Sequence, residues 1–237
     1  MSGRCRLVFT LVALGVLFGS AGAGAQPNPY RQYSSHVFIN GNLKQAFLKQ
    51  WGAVSPRAPV GSYSLSASSF RTVGDFTVHK RVAASVQSLD SVRRGELEDS
   101  LYRLVKKYEH VLDQNDEPEL KNNLAGAFNF LFAQAWYVFK EGQELSAAQR
   151  RNMLDQLNTA IAVGLPEQRL SDVEKQDLYE AAVLSGSIIL GLYNEGRDLG
   201  RQDQMKAARE LARELLVQMM GITLEKVRVT DDSVRVN

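Results

Sequence analysis

Leu97, Leu101, Leu104, Val105, Tyr108 and Leu112 recur at intervals that place them on one face of an α-helix. The pattern begins clearly near Asp90, after a weaker helical stretch over Val78–Leu89, and stops at Asp113-Gln114-Asn115-Asp116. Pro118, tolerated in a first helical turn, is expected to start the next helix, which should run to about Glu141 and stop at Gly142. Ser146 with Gln149, and Ser171 with Glu174, have the spacing of capping boxes. The helices they open are expected to end at Gly164 and Gly196. A last helix should cover Gln202–Met220 and end at Gly221.

Two segments, Leu124–Phe139 and Ala181–Tyr193, are apolar on nearly every face, which marks them as central helices. Small residues at Ala181, Ala182, Gly186 and Gly191 suit close packing against Phe128, Phe130, Phe132, Trp136 and Tyr137. After Gly221 the pattern becomes strand-like, with Ile222, Leu224, Val227 and Val229, then Thr230-Asp231-Asp232-Ser233, then Val234 and Val236. A hairpin of that size is marginal alone, and Phe70–Val78 is its expected strand partner. The fold expected is mainly α: an antiparallel bundle of about five helices with a short extended or hairpin segment at the C-terminus.

The first part of the chain has a different character. Arg4 and Arg6 precede an apolar run from Leu7 to Phe18, and Ala23-Gly24-Ala25 supplies small residues ahead of Gln26. That order predicts a signal peptide over residues 1–25, cut between Ala25 and Gln26. The run is short against the roughly 20 residues needed to span a membrane, so no membrane association is expected after cleavage. The mature protein would then be periplasmic or secreted. Residues 26–76 are rich in Ser, Gly, Pro and Asn and read as a flexible arm before a helical domain over 77–237. Within the arm, Leu43, Phe47, Leu48 and Trp51 form one short apolar stripe, which either docks on the domain or recognises a partner.

Composition narrows the function. The formal net charge of +2 falls near zero once Arg4 and Arg6 leave, which argues against nucleic-acid binding. Cys5, the only cysteine, lies in the leader, so the mature chain has no thiol or disulfide. His36, His79 and His110 are far apart in sequence and lack the spacing of a zinc site. Pro118 and Leu124 break the calcium-loop pattern that Asp113–Glu119 begins. Leu184-Ser185-Gly186-Ser187 falls inside a helix and not on a nucleophile elbow. No catalytic, cofactor-binding or metal residue is assigned on these grounds.

The residues closest to chemistry are Gln176, Tyr179 and Glu180, at the mouth of the second central helix. Burial there would raise the pKa of Glu180 and make it an acid or base in a bundle cleft. The alternative is that Glu180 faces water or pairs with Arg150, Arg151 or Arg209, while Arg201, Arg209 and Arg213 pair with Glu210 and Glu214 along the last helix. The two functional readings are a non-enzymatic binding or protein-interaction domain, with a partner of unknown identity, and an enzyme built on Glu180.

Asn122-Asn123-Leu124-Ala125-Gly126-Ala127, together with Ser171-Asp172 through Gln176 to Tyr179-Glu180, resembles a family of exported bacterial helical proteins catalogued as a domain of unknown function. The likeness covers about Phe70–Val229. It implies an exported helical domain and supplies no activity or catalytic residue.

Overall fold

The computed structural model describes residues 63–168, 170–230 and 234–236. The expected signal peptide, its Ala25–Gln26 junction and the Leu43–Trp51 stripe lie outside the described residues. Six α-helices follow one another: α1 (Val78–Ser85), α2 (Ser91–Gln114), α3 (Leu124–Phe139), α4 (Ala147–Gln168), α5 (Asp172–Asp198) and α6 (Gln202–Met220). A hairpin of β1 (Val227–Val229) and β2 (Val234–Val236) closes the described chain.

Local chemistry accounts for the helix starts. Asp90 accepts from the Arg93 amide at 2.8 Å, and Asn123 accepts from the Gly126 amide at 2.9 Å, each satisfying an orphan donor of the first turn. Ser146 and Gln149 exchange both bonds of a capping box, as do Ser171 and Glu174. At the far end, Gly221 takes the left-handed conformation at φ 71° that ends α6, a position where any Cβ is strained.

Several expected boundaries are corrected. Pro118 opens a separate 3-10 turn over Pro118–Leu120, and α3 begins only after Asn123. The helix expected to end at Gly164 continues to Gln168; a glycine in mid-helix costs only about 1 kcal/mol, which burial of Met153, Leu157 and Ile161 on the same helix offsets. α5 also passes through Gly196, ending at Asp198, with Gly200 supplying the left-handed turn at φ 68°. Gly196 serves packing instead: a Cβ there would lie 3.1 Å from both the Arg201 carbonyl oxygen and the Met205 nitrogen. The start of α6 therefore fits only against a residue without a side chain.

α3 and α5 form the centre, as their all-round apolar character requires. They run side by side in the same direction: Gly186 abuts Phe130 and Leu131, and Tyr193 meets Tyr137 edge-on at 5.8 Å. Two antiparallel steps produce that parallel pair, since α4 returns along α3 before α5 sets out again. α6 then runs back against α5, with Ser185 near Met219 and Gly196 near Met205. Among the described residues no helix is long and apolar enough to cross a membrane.

The hairpin pairs with itself and not with Phe70–Val78, correcting that expectation. Its register sets Val229 opposite Val234 and Arg228 opposite Arg235, with Val227 and Val234 buried on the helices. Residues 63–76, in the part of the sequence that reads as an arm, pack on the bundle. Phe70 and Phe76 are buried in the core, and Ser69 forms an isolated bridge with Asn123.

Candidate functional site

Gln176, Asp177, Tyr179 and Glu180 occupy the first turns of α5, positioned by the capping box at Ser171. Helical spacing puts Gln176, Tyr179 and Glu180 toward the bundle, where all three are buried. Glu180 has no exposed surface at all.

The Glu180 carboxylate is held at the start of α1. Oε2 accepts from the amides of Thr77 at 2.8 Å and Val78 at 2.7 Å, while Oε1 accepts from the His79 amide at 2.8 Å and contacts His79 Nδ1 at 2.6 Å. Thr77, the residue before α1, makes no side-chain cap of its own. A carboxylate from α5 therefore takes the place of a local capping side chain, and its negative charge meets the positive end of the α1 dipole. Four donors for one carboxylate match its four lone-pair positions. The expectation that Glu180 faces water or pairs with Arg150, Arg151 or Arg209 is corrected: the bundle excludes water from it, and Arg209 pairs with Glu141. Arg213 likewise pairs with Glu225, at 2.5 Å, so these arginines tie α6 to other elements.

Gln176 reads main chain in the same way. Its Oε1 accepts from the Val73 amide at 2.8 Å, and its Nε2 donates to the Asp75 carbonyl at 3.0 Å. Asp177, nearer the surface, accepts from the Thr77 hydroxyl at 3.0 Å and from Arg81 at 2.8 Å. Upstream, Asn158 Nδ2 donates to the Tyr63 carbonyl at 2.9 Å and Asn123 Nδ2 to the Leu65 carbonyl at 2.8 Å. The Ser68 hydroxyl joins these two amides, 2.7 Å from Asn158 Oδ1 and 3.1 Å from Asn123 Oδ1. Residues 63–79 thus lie as a strap across α3, α4 and α5, held mainly by side chains that contact its backbone.

Tyr179 lies beneath the strap. Its ring meets Phe70 edge-on at 5.5 Å, stacks on Phe76 at 6.0 Å and tilts against Tyr108 at 6.1 Å. The hydroxyl, beside the Asn122 backbone, closes no hydrogen bond of good geometry among the described residues. Burial above all, with the neighbouring Tyr108, pushes its ionisation far above the ordinary phenol range. It stays a neutral phenol at any physiological pH.

In the sequence His79 stands far from His36 and His110, with no local sign of a partner. Its signal is non-local, because the bond to Glu180 spans 101 residues. The ring also packs on Tyr102, at 5.2 Å between centroids. With Nδ1 turned to the carboxylate, Nε2 is the nitrogen left to accept a proton or bind a ligand. Among the described residues no group of three or more His, Cys, Asp or Glu is arranged to hold a metal.

Residues 53–237 match a family of unknown function, DUF6683, a longer stretch than the Phe70–Val229 likeness read from the motifs. No curated protein and no solved structure matches the chain.

Proposed function

We propose that this chain, which belongs to the DUF6683 family of unknown function, is an exported, non-enzymatic interaction domain, cut between Ala25 and Gln26 and acting in the periplasm or outside the cell. One observation carries the non-enzymatic part. Glu180, the group best placed to act as an acid or base, gives all four acceptor positions to its own chain at Thr77, Val78 and His79. Gln176 is engaged in the same way on Val73 and Asp75. Such groups are spent on holding a fold, and what remains to act on another molecule is the outer surface. Export rests on the order of charged leader, apolar run and small residues at the N-terminus.

Affinity capture of the mature protein from a periplasmic extract of the native host tests the interaction. A partner held stoichiometrically supports it; an empty capture across salt concentrations counts against it. Intact-mass analysis of the same material tests export, and a chain still carrying Met1 would end that part of the proposal.

A second reading has its own observation. Glu180 orients His79 through Nδ1, the arrangement by which a carboxylate prepares the other ring nitrogen to take a proton. A turnover found on an ester or amide panel and lost in His79→Gln, with melting retained, would favour an enzyme.

A further inference from the structure

The C-terminal hairpin carries positive charge that no described residue pairs with. Strand alternation buries Val227 and Val234 and turns Arg228 and Arg235 outward, where the register sets them directly opposite each other. Like charges in that relation repel. Glu225, the nearest acid in the described sequence, is taken by Arg213. Lys226 adds a further exposed cation, and neither Arg228 nor Arg235 makes an ion pair among the described residues. Asp231 and Asp232, in the connecting turn, lie outside the described residues.

The two edges of the hairpin also differ. The outer edge of β2 is closed by α4: the Val234 amide donates to Asn152 Oδ1 at 3.2 Å, and its carbonyl accepts from Gln156 Nε2 at 3.1 Å. Because both main-chain groups of Val234 face α4, Val229 opposite it belongs to a non-hydrogen-bonded pair and turns its own amide and carbonyl outward from β1. Neither finds a partner among the described residues. Two residues back, the Val227 amide on the same edge is already bonded to the Leu224 carbonyl, so the amide left open on β1 is that of Val229. Open edges are where strands add, and natural proteins usually cover them.

We infer that the open edge of β1 takes an extended acidic segment of a partner protein as a third strand. The inference rests on the interaction reading above and names its surface. Main-chain bonds at Val229 would set the register, and an acidic side chain beside Arg228 would accept its guanidinium in the two-pronged geometry that arginine offers a carboxylate. The same acid relieves the repulsion between Arg228 and Arg235.

The probe is a fluorescein-labelled hexapeptide of alternating valine and glutamate, titrated into the full mature chain and followed by anisotropy. The account expects binding that weakens as salt rises, and that falls by about tenfold or more in R228Q/R235Q. The reversed variant R228E/R235E, which keeps the like-charge pair at two exposed positions, should lose this peptide and gain the one in which lysine replaces glutamate. Equal binding by wild type and R228Q/R235Q, or no binding to wild type, overturns the inference. So does arginine-dependent binding to phosphatidylglycerol vesicles without binding to the peptide, which would assign the arginines to a lipid surface. A partner captured equally by wild type and R228Q/R235Q, with no peptide binding, sinks this inference and leaves the interaction reading standing; peptide binding with an empty capture does the reverse.

Discussion

Glu180 and Asp155 show opposite outcomes of removing a carboxylate from water. Glu180 is buried completely, yet it meets four donors, so its desolvation is offset by hydrogen bonds. Asp155, partly buried on α4, has less in return. Burial raises its pKa above the ordinary value, opposed only in part by Arg151. An acid whose folded pKa is raised favours folding only when protonated. That contribution is complete below the unfolded value of about 3.9 and is lost as pH rises through the folded value. Asp155→Asn should therefore raise the melting temperature at neutral pH, and the gain should shrink to nothing as the pH approaches 4 or below. Melting curves of the two proteins across that range check it, and a gain independent of pH would show that the side chain's charge is not the cause. From sequence, Glu180 stood out because it precedes an apolar run. Its partners did not, since nothing local in Thr77-Val78-His79 advertises a carboxylate 101 residues away.

Among the elements, what could be read in advance depended on how local its cause is. α2 and α6 follow from three-four periodicity with Asp90 and Gly221 at their ends, and the structure places them there. The stop expected at Gly196 failed because a glycine can serve a close approach as readily as a turn, and the two uses look alike in sequence; the one expected at Gly164 failed because a single glycine costs a helix little. Gly186 is the position where close approach is most exacting. A Cβ there would come within 2.9 Å of Phe130 Cε1 and 3.2 Å of Leu131 Cα, and the second of these is backbone that cannot swing aside. Gly186→Ala should therefore lose on the order of 1 to 3 kcal/mol, despite the better helix propensity of alanine. Urea denaturation measures it, and an unchanged midpoint would mean that α3 and α5 can move apart at little cost. The strand partner expected for the hairpin was misjudged because Phe70–Val78 has strand composition but is bound through Gln176 and Glu180, a kind of contact that β-propensity does not register.

At the scale of the molecule, the bundle is wrapped by a strap whose near end is anchored at Tyr63 by Asn158 of α4. The Leu43–Trp51 stripe precedes that anchor in the sequence and lies outside the described residues. The chain from Trp51 to Tyr63 can reach at most about 40 Å, enough to bring the stripe back over α4, where Val163 is 50% exposed. If the stripe docks there, each hundred square ångströms of apolar surface it covers contributes about 2.5 kcal/mol at most. Deleting Gln26–Pro59 should then lower the melting temperature. Unchanged melting would assign the stripe to partner recognition instead.

The claim that organises the rest is that Glu180 works as an internal cap, holding the strap and α1 to α5. Glu180→Gln tests it directly, because the amide keeps the shape but leaves one acceptor oxygen for four donors and turns an N–H2 group toward them. Urea denaturation combined with native-state hydrogen exchange is the measurement. The account predicts a loss of about 3 kcal/mol or more, with exchange at the Thr77, Val78 and His79 amides accelerated beyond that of the α3 core. Stability and exchange at those three amides both unchanged from wild type would contradict it.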